Sequence, residues 1–257
     1  MSAATAQSCL AANEWICGEY LRSRSEELTE ATVDHVVITA TAIGIAVLIA
    51  FPLALLARRW RLASAGILSA TTVLYTIPTL AMYALLLPMF GISVSLVICG
   101  LVLYSLTILV RNILTGLDSV PAEAREAAIG LGYGRTRLLF AVELPLALPA
   151  LMAGLRIATV SAVSLTTVGA IVDNGGLGNL IYAAMDSYFK AQVLTASVLC
   201  VLLAVTADLL LLGLQRLLTP WTRAAGGGRR VRRAAGAEGR DAVLDDRDAV
   251  LDNRATA

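Results

Sequence analysis

Long apolar runs without charge alternate along this chain with short polar stretches dense in arginine. No Asp, Glu, Lys or Arg occurs from Leu62 to Val110, a run of 49 residues. A helical bilayer crossing takes about 20 apolar residues. The run therefore predicts two spans and a turn, with Pro88-Met89-Phe90-Gly91 supplying the turn. His35 to Ala57 and Ala191 to Ala207 are likewise uncharged, and Leu144 to Val172 is broken only by Arg156. The pattern predicts five helices, over 35–57, 64–87, 92–115, 146–171 and 193–216. A membrane barrel would show short alternating segments instead. The predicted class is an all-α integral membrane protein.

Composition agrees and narrows the choice. Hydrophobic residues make up 58% and charged residues 15%, against roughly 45–50% and about 25% in an average soluble domain. That excludes a disordered chain, a collagen-like repeat and a disulfide scaffold. A net charge of +1 gives no overall pull toward nucleic acid. The arginines set an orientation. One side would carry eleven basic residues, from Arg58, Arg59 and Arg61 through Arg125, Arg135 and Arg137 to the cluster between Arg223 and Arg233; the other would carry Arg22, Arg24 and Lys190. Basic loops stay cytoplasmic, so the N-terminus is expected outside and the C-terminus in the cytoplasm, which an odd number of spans allows.

Three regions follow: an extracytoplasmic segment 1–32, a membrane domain 33–220 and a tail 221–257. Residues 1–32 contain no apolar core after a basic start, so the first span is expected to insert as its own signal. In the tail, a Gly/Ala/Arg stretch precedes two copies of a seven-residue repeat, RDAVLDD and RDAVLDN. Two heptads fall short of a coiled coil, and a disordered tail is expected. Cys9 and Cys17 lie on the expected outer side, where a disulfide is possible; unpaired thiols fit the sequence equally well. Cys99 and Cys200 read as small core residues. With one histidine, His35, and no ligand spacing among the cysteines, no metal site is predicted.

Candidate chemistry gathers in the polar loop 117–145 between the third and fourth spans. Asp118 and Ser119 are helix N-cap candidates and Pro121 suits a first turn. A short helix is predicted from Pro121 to Ile129, broken by Gly130, Gly132 and Gly134, and a second from Arg135 to Val142 leading to Pro145. Ala124, Ala127, Ala128 and Leu131 form a shallow apolar stripe on the first. Such a helix–glycine–helix knob suits a groove on a partner, or else rests on lipid.

The loop resembles the EAA motif of binding-protein-dependent ABC importer permeases: EAA, three residues, G, nine residues, I, one residue, LP. The chain carries Glu126-Ala127-Ala128, Gly132 and Val142-Glu143-Leu144-Pro145 at that spacing, with Val142 alone departing from the pattern. Tyr75-Thr76-Ile77-Pro78-Thr79-Leu80-Ala81, Leu103-Tyr104-Ser105-Leu106, Val110-Arg111-Asn112, Met152-Ala153-Gly154-Leu155-Arg156 and Asn174-Gly175-Gly176-Leu177-Gly178 are similar to the osmoprotectant permeases that import glycine betaine, carnitine and choline. Methionine-type permeases share the loop and the Gly-Gly-Leu-Gly turn, so another small solute such as an amino acid is the alternative. The resemblance implies the type I ABC importer permease fold in the cell membrane. It also implies docking of the 117–145 loop on separate ATPase subunits that bind ATP and Mg, a second permease subunit, identical or paralogous, and an extracytoplasmic solute-binding protein. The loop residues it marks are Glu126, Ala127, Ala128, Gly132, Val142, Leu144 and Pro145.

Other residues carry two readings each. Tyr75, Thr76, Pro78, Tyr83 and Tyr104 are candidates for the translocation pathway, since aromatic rings attract quaternary ammonium groups, though membrane aromatics also pack or anchor. Arg111 and Arg156 either close an inner gate or snorkel to the cytoplasmic face. Asp208, an acid inside the fifth span, reads as a polar contact between helices or, in an ion-coupled carrier, as a proton relay. A carrier would also predict an inverted repeat and broken helices. The chain has no G-x-x-x-x-G-K-[ST] loop and its only lysine is Lys190, so ATP binding of that kind is expected elsewhere, and neither a catalytic residue nor a cofactor is expected in this chain.

Overall fold

The computed structural model describes residues 8–221. Among them there is no strand. A short helix α1 (Gly18–Ser23) leads into α2 (Ser25–Arg59), followed by α3 (Arg61–Thr76), α4 (Thr79–Phe90) and α5 (Val94–Asp118). Two short helices, α6 (Ala122–Gly130) and α7 (Arg135–Leu138), precede a π-helical turn at Leu139–Glu143 and then α8 (Leu144–Thr166). A 3₁₀ segment (Thr167–Val172), α9 (Leu177–Asp186) and α10 (Lys190–Leu218) complete the order. Four stretches are long and apolar enough to cross a membrane, five if the bent pair α3–α4 counts as one span.

The most buried span is α5, with α2 and α8 against it. Contact is close because α2 presents a ridge of small side chains, Ala42, Ala46, Ala50, Ala54 and Ala57, none more than 2% exposed. Small residues four apart on one face let helices approach where lipid offers no hydrophobic drive. Leu96, Val97, Leu101, Val110 and Leu117 fill the facing side of α5.

The predicted continuous helix 64–87 is broken. Ile77 is extended (φ −69°, ψ 127°), α4 restarts after Pro78, and the two pieces meet at 102°. Proline excludes its predecessor from helical geometry and removes an N–H. The carbonyl exposed at the break is satisfied by the Tyr104 hydroxyl, which donates to Ile77 O. The turn predicted at 88–91 falls slightly later: α4 runs through Pro88 to Phe90 and ends at Gly91, φ +61°.

Two other expectations are corrected. The helix that carries the first span begins at Ser25, ten residues before the predicted start at 35, and residue 32 lies inside it. Glu26 and Glu27 occupy its first turn, where carboxylates favour the helix dipole, and no breaker intervenes. The stretch predicted as loop between 171 and 193 contains α9, whose entry is the Asn174–Gly178 turn. There Asn179 accepts a hydrogen bond from Gly175 N at 2.8 Å and donates to Asp173 O at 3.2 Å. Gly176 (φ +56°) lies so close to the His35 backbone that a Cβ would stand 2.8 Å from it. The expected disordered tail with its seven-residue repeat, 222–257, lies outside the described residues.

Cys9 and Cys17 form a disulfide. Inside that loop Asn13 donates from its side chain to Tyr188 O and accepts from Lys190 N, both at 3.0 Å, spanning the α9–α10 turn. Cys17 and Tyr20 are buried with Leu177, Leu180 and Ala191, and the Tyr20 and Phe189 rings meet edge to face at 5.3 Å. A cap thus closes one end of the bundle; α6 and α7 lie beyond the cores of the spans at the arginine-rich end.

Candidate functional site

Built from its residues, the 118–145 loop is a knob with an ordered base. Pro121 caps α6; its missing N–H is one a helix start leaves unpaired anyway. The helix ends in a Schellman turn: Tyr133 N donates to Ala128 O at 3.1 Å and Gly132 N to Ile129 O at 2.9 Å. This geometry needs a left-handed residue between them, and Gly132 takes it with φ +81°. Among the described residues nothing lies within 4 Å of a Cβ built on Gly132, so its outer side is open to them.

The predicted stripe divides. Ala128 is buried against the bundle, whereas Glu126, Ala127 and Gly132 are exposed. Ile129 and Leu131 are also exposed, at 57% and 77%. An acid beside uncovered apolar and glycine surface is what a docking face presents. Arg137 stacks on the Tyr133 ring at 4.3 Å and orders the second half of the knob. Val142, Leu144 and Pro145 are half-buried where the loop passes into α8. Instead of a separate second helix, α7, the π turn and α8 run on continuously; Pro145, at the second position of α8, brings no N–H to that run, and the wider π turn directly precedes it.

The base of the knob is ionic, a contact barely signalled in the residue pattern. Glu143, buried, receives Arg58 through two hydrogen bonds of 2.7 and 2.8 Å. Arg125 Nε lies 3.0 Å from the same carboxylate, and its Nη2 donates to Leu117 O at the end of α5. Arg58 Nε is also 3.5 Å from Asp118. Three elements, α2, α6 and the π turn, therefore meet at one carboxylate, and the same two arginines reach the end of α5. The only sequence signal was an acid inside an otherwise apolar Val-Glu-Leu-Pro stretch, at the position the motif leaves open.

The pathway candidates separate into two groups. Tyr75, Thr76 and Pro78 are exposed together at the α3–α4 break. Tyr104 is buried, braces the break and meets Tyr75 edge to face at 5.9 Å. Tyr83 is 2% exposed and packs on Gly100 inside the subunit, so it does not face outward with the others. Arg111 donates to Thr72 Oγ1 at 2.8 Å. Arg156 does not snorkel: it forms a two-pronged pair with Asp208, Nε to Oδ1 and Nη2 to Oδ2, both 2.7 Å. The acid that had no partner along the sequence has one 52 residues away.

Comparison with known proteins matches this architecture. Residues 36–224 fit the family described as "Binding-protein-dependent transport system inner membrane component". The osmoprotectant import permease protein OsmW of Salmonella typhimurium is 35% identical over 206 residues, covering 78% of this chain and 96% of that protein. The choline transport system permease protein OpuBD of Bacillus subtilis is 36% identical over 202 residues, covering 78% and 89%. Among solved structures, the inward-facing MetNI methionine ABC transporter aligns over 77% of this chain and 98% of its own, with a TM-score of 0.69 and 20% identity. A multi-pass helical bundle with an exposed EAA knob, matched by one family over most of its length, leads to one assignment: the chain belongs to the inner membrane components of binding-protein-dependent transport systems.

Proposed function

We propose that this chain is the permease subunit of an ATP-driven importer that carries a compatible solute such as glycine betaine, choline or carnitine. The observation that carries the reading is the knob at 122–134, ordered from beneath by ion pairs and bare on its outer face. Glu126, Ala127, Ala128 and Gly132 dock on an ATPase subunit, which binds ATP and Mg; Val142, Leu144 and Pro145 join the knob to α8. Two permease subunits enclose the path, and a binding protein delivers solute from outside. ATP-driven closure of the ATPases moves the knob and switches the path between inward- and outward-facing states. Tyr75, Thr76 and Pro78, beside the α3–α4 break, line the path.

The relatives' names support the solute class. The test is uptake of labelled glycine betaine, choline, carnitine and methionine in cells lacking their own importers, with this chain co-expressed with its ATPase and binding protein. Uptake of at least one of the first three, lost when ATP is depleted, is expected. Transport of methionine alone would overturn the solute assignment. The ion-coupled carrier loses its main support because the carboxylate it requires, Asp208, is held by Arg156.

The N-terminus lies outside the cell and the C-terminus inside. The arginine asymmetry supports this, as does the disulfide, which persists in an oxidising compartment. Cys17 is buried as well as bonded, so direct labelling of that thiol on intact cells would fail. After mild reduction and denaturation of the outer face, an impermeant maleimide should label Cys9 or Cys17, but not a cysteine placed at 230 unless the membrane is opened. The reverse pattern would invert the map.

A further inference from the structure

We infer that Glu143 is the positioning residue through which movement of α6 reaches the membrane helices, with Arg125 and Arg58 as its two arms. The inference rests on the coupling reading above and adds the route by which that coupling enters the bundle. Apart from its backbone links to α5 and α7, α6 has few grips on the bundle: among the described residues its outer face is uncovered, and Ala128 is its one fully buried residue. Arg125, adjacent to Glu126 in sequence, reaches Glu143 and the Leu117 carbonyl at once. Arg58 closes the circuit from the last turn of α2 and lies within ion-pair distance of Asp118 at the end of α5. A displacement of α6 therefore acts on the ends of α2 and α5 and on the start of α8 through fixed polar geometry.

Two features suit this set to transmission as well as cohesion. Its charges balance, two arginines against Glu143 and Asp118, and a two-pronged arginine–carboxylate contact resists rotation. Glu143 also closes a π-helical turn. Such turns carry a wider hydrogen-bond pattern than the helix around them and occur often at functional sites. Here the turn sits where the knob's backbone becomes the membrane helix α8.

The test compares docking, turnover and uptake in the assembled importer, reconstituted in proteoliposomes with its ATPase and binding protein. Glu143→Gln keeps the side chain's shape and leaves the exposed face of α6 untouched. The expected result is normal recovery of the ATPase subunit, with solute-dependent stimulation of ATP hydrolysis and uptake each reduced about tenfold or more, within the range of site-to-site coupling. Arg125→Lys, which preserves every charge but loses the fork, should show the same split to a smaller degree, and serves if Glu143→Gln accumulates poorly. Normal stimulation and uptake per assembled complex in both variants would overturn the inference, because a merely structural contact changes amount and not coupling. Loss of the ATPase from the complex would also overturn it, since Glu143 would then be holding the docking face. Failure of the coupling reading itself looks different: Gly132→Asp would transport normally.

Discussion

Gly132→Asp is expected to leave the subunit in the membrane at near-normal amounts while lowering uptake and co-purification of the ATPase about thirtyfold or more, the size of an interface hot spot of about 2 kcal/mol. Insertion survives because residue 132 lies in the knob, outside the apolar cores of the spans, and none of the described residues crowds it. Docking suffers twice. A side chain at φ +81° strains the Schellman turn by about 1–2 kcal/mol, and a carboxylate projects from a face that already carries Glu126. Gly132→Ala separates the two effects, since it imposes similar strain with a methyl group alone and should retain most of the ATPase. Glu126→Lys should weaken recovery less, as expected of a charge at an interface rim. Pull-down of the ATPase and solute uptake measure all three. Full recovery and full uptake in Gly132→Asp would remove the docking assignment.

The second large effect belongs to the pair inside the membrane. Asp208→Ala leaves Arg156 with no carboxylate among apolar neighbours, and the amount of folded subunit should fall several-fold. The reason lies in how α10 is held. The most apolar stretch of this helix has none of its residues buried in the chain; its fully buried residues, Ala191 and Ala196, lie near its start. Along its middle an apolar groove of about 500 Å³ opens toward α2 and α8, lined by Val36, Ile43, Leu155, Val163 and Leu203 among others. The ion pair is a polar latch between α8 and α10, and in hydrocarbon such a latch has no water to compete with it. Exchanging the partners, Arg156→Asp with Asp208→Arg, should restore folded protein and uptake to more than half of the original. Asp208→Asn keeps one hydrogen bond and should transport normally per folded molecule. If the exchange restores the amount but uptake stays absent, or if normal uptake collapses on adding a protonophore, the latch is an incomplete account and proton coupling returns.

How much of this was legible in the residues depends on the range of the interaction. The spans could be read because hydrocarbon selects them one at a time, by length and lack of charge. The Gly132 turn could be read because a helix end is a local problem with few solutions. The break at Ile77–Pro78 was half visible: the proline marks it, but whether a helix kinks or restarts depends on who takes the freed carbonyl, and Tyr104 is 27 residues away in sequence. The helix α9 was hidden by length, since ten residues between two spans look like any loop. Least visible were the ionic contacts. Arg58 with Glu143 and Arg156 with Asp208 join residues 85 and 52 positions apart, and nothing local distinguishes a paired charge from an idle one. Tyr83 misled for a related reason: its chemistry suits a cation, but a glycine on α5 makes room for its ring in the core.

The cap at the disulfide end has a consequence for how the molecule is made. The two cysteines are eight positions apart, so that loop can close early, with no other part of the chain in place. The turn it grips, between Tyr188 and Lys190, is then still some 170 residues from being synthesised. The disulfide loop thus waits, already shaped by its own bond, for a turn far along the chain to arrive. Oxidation of the loop early and correct placement of α10 late are two conditions on a single contact. A chain halted before α10 would carry a finished clasp with nothing to fasten.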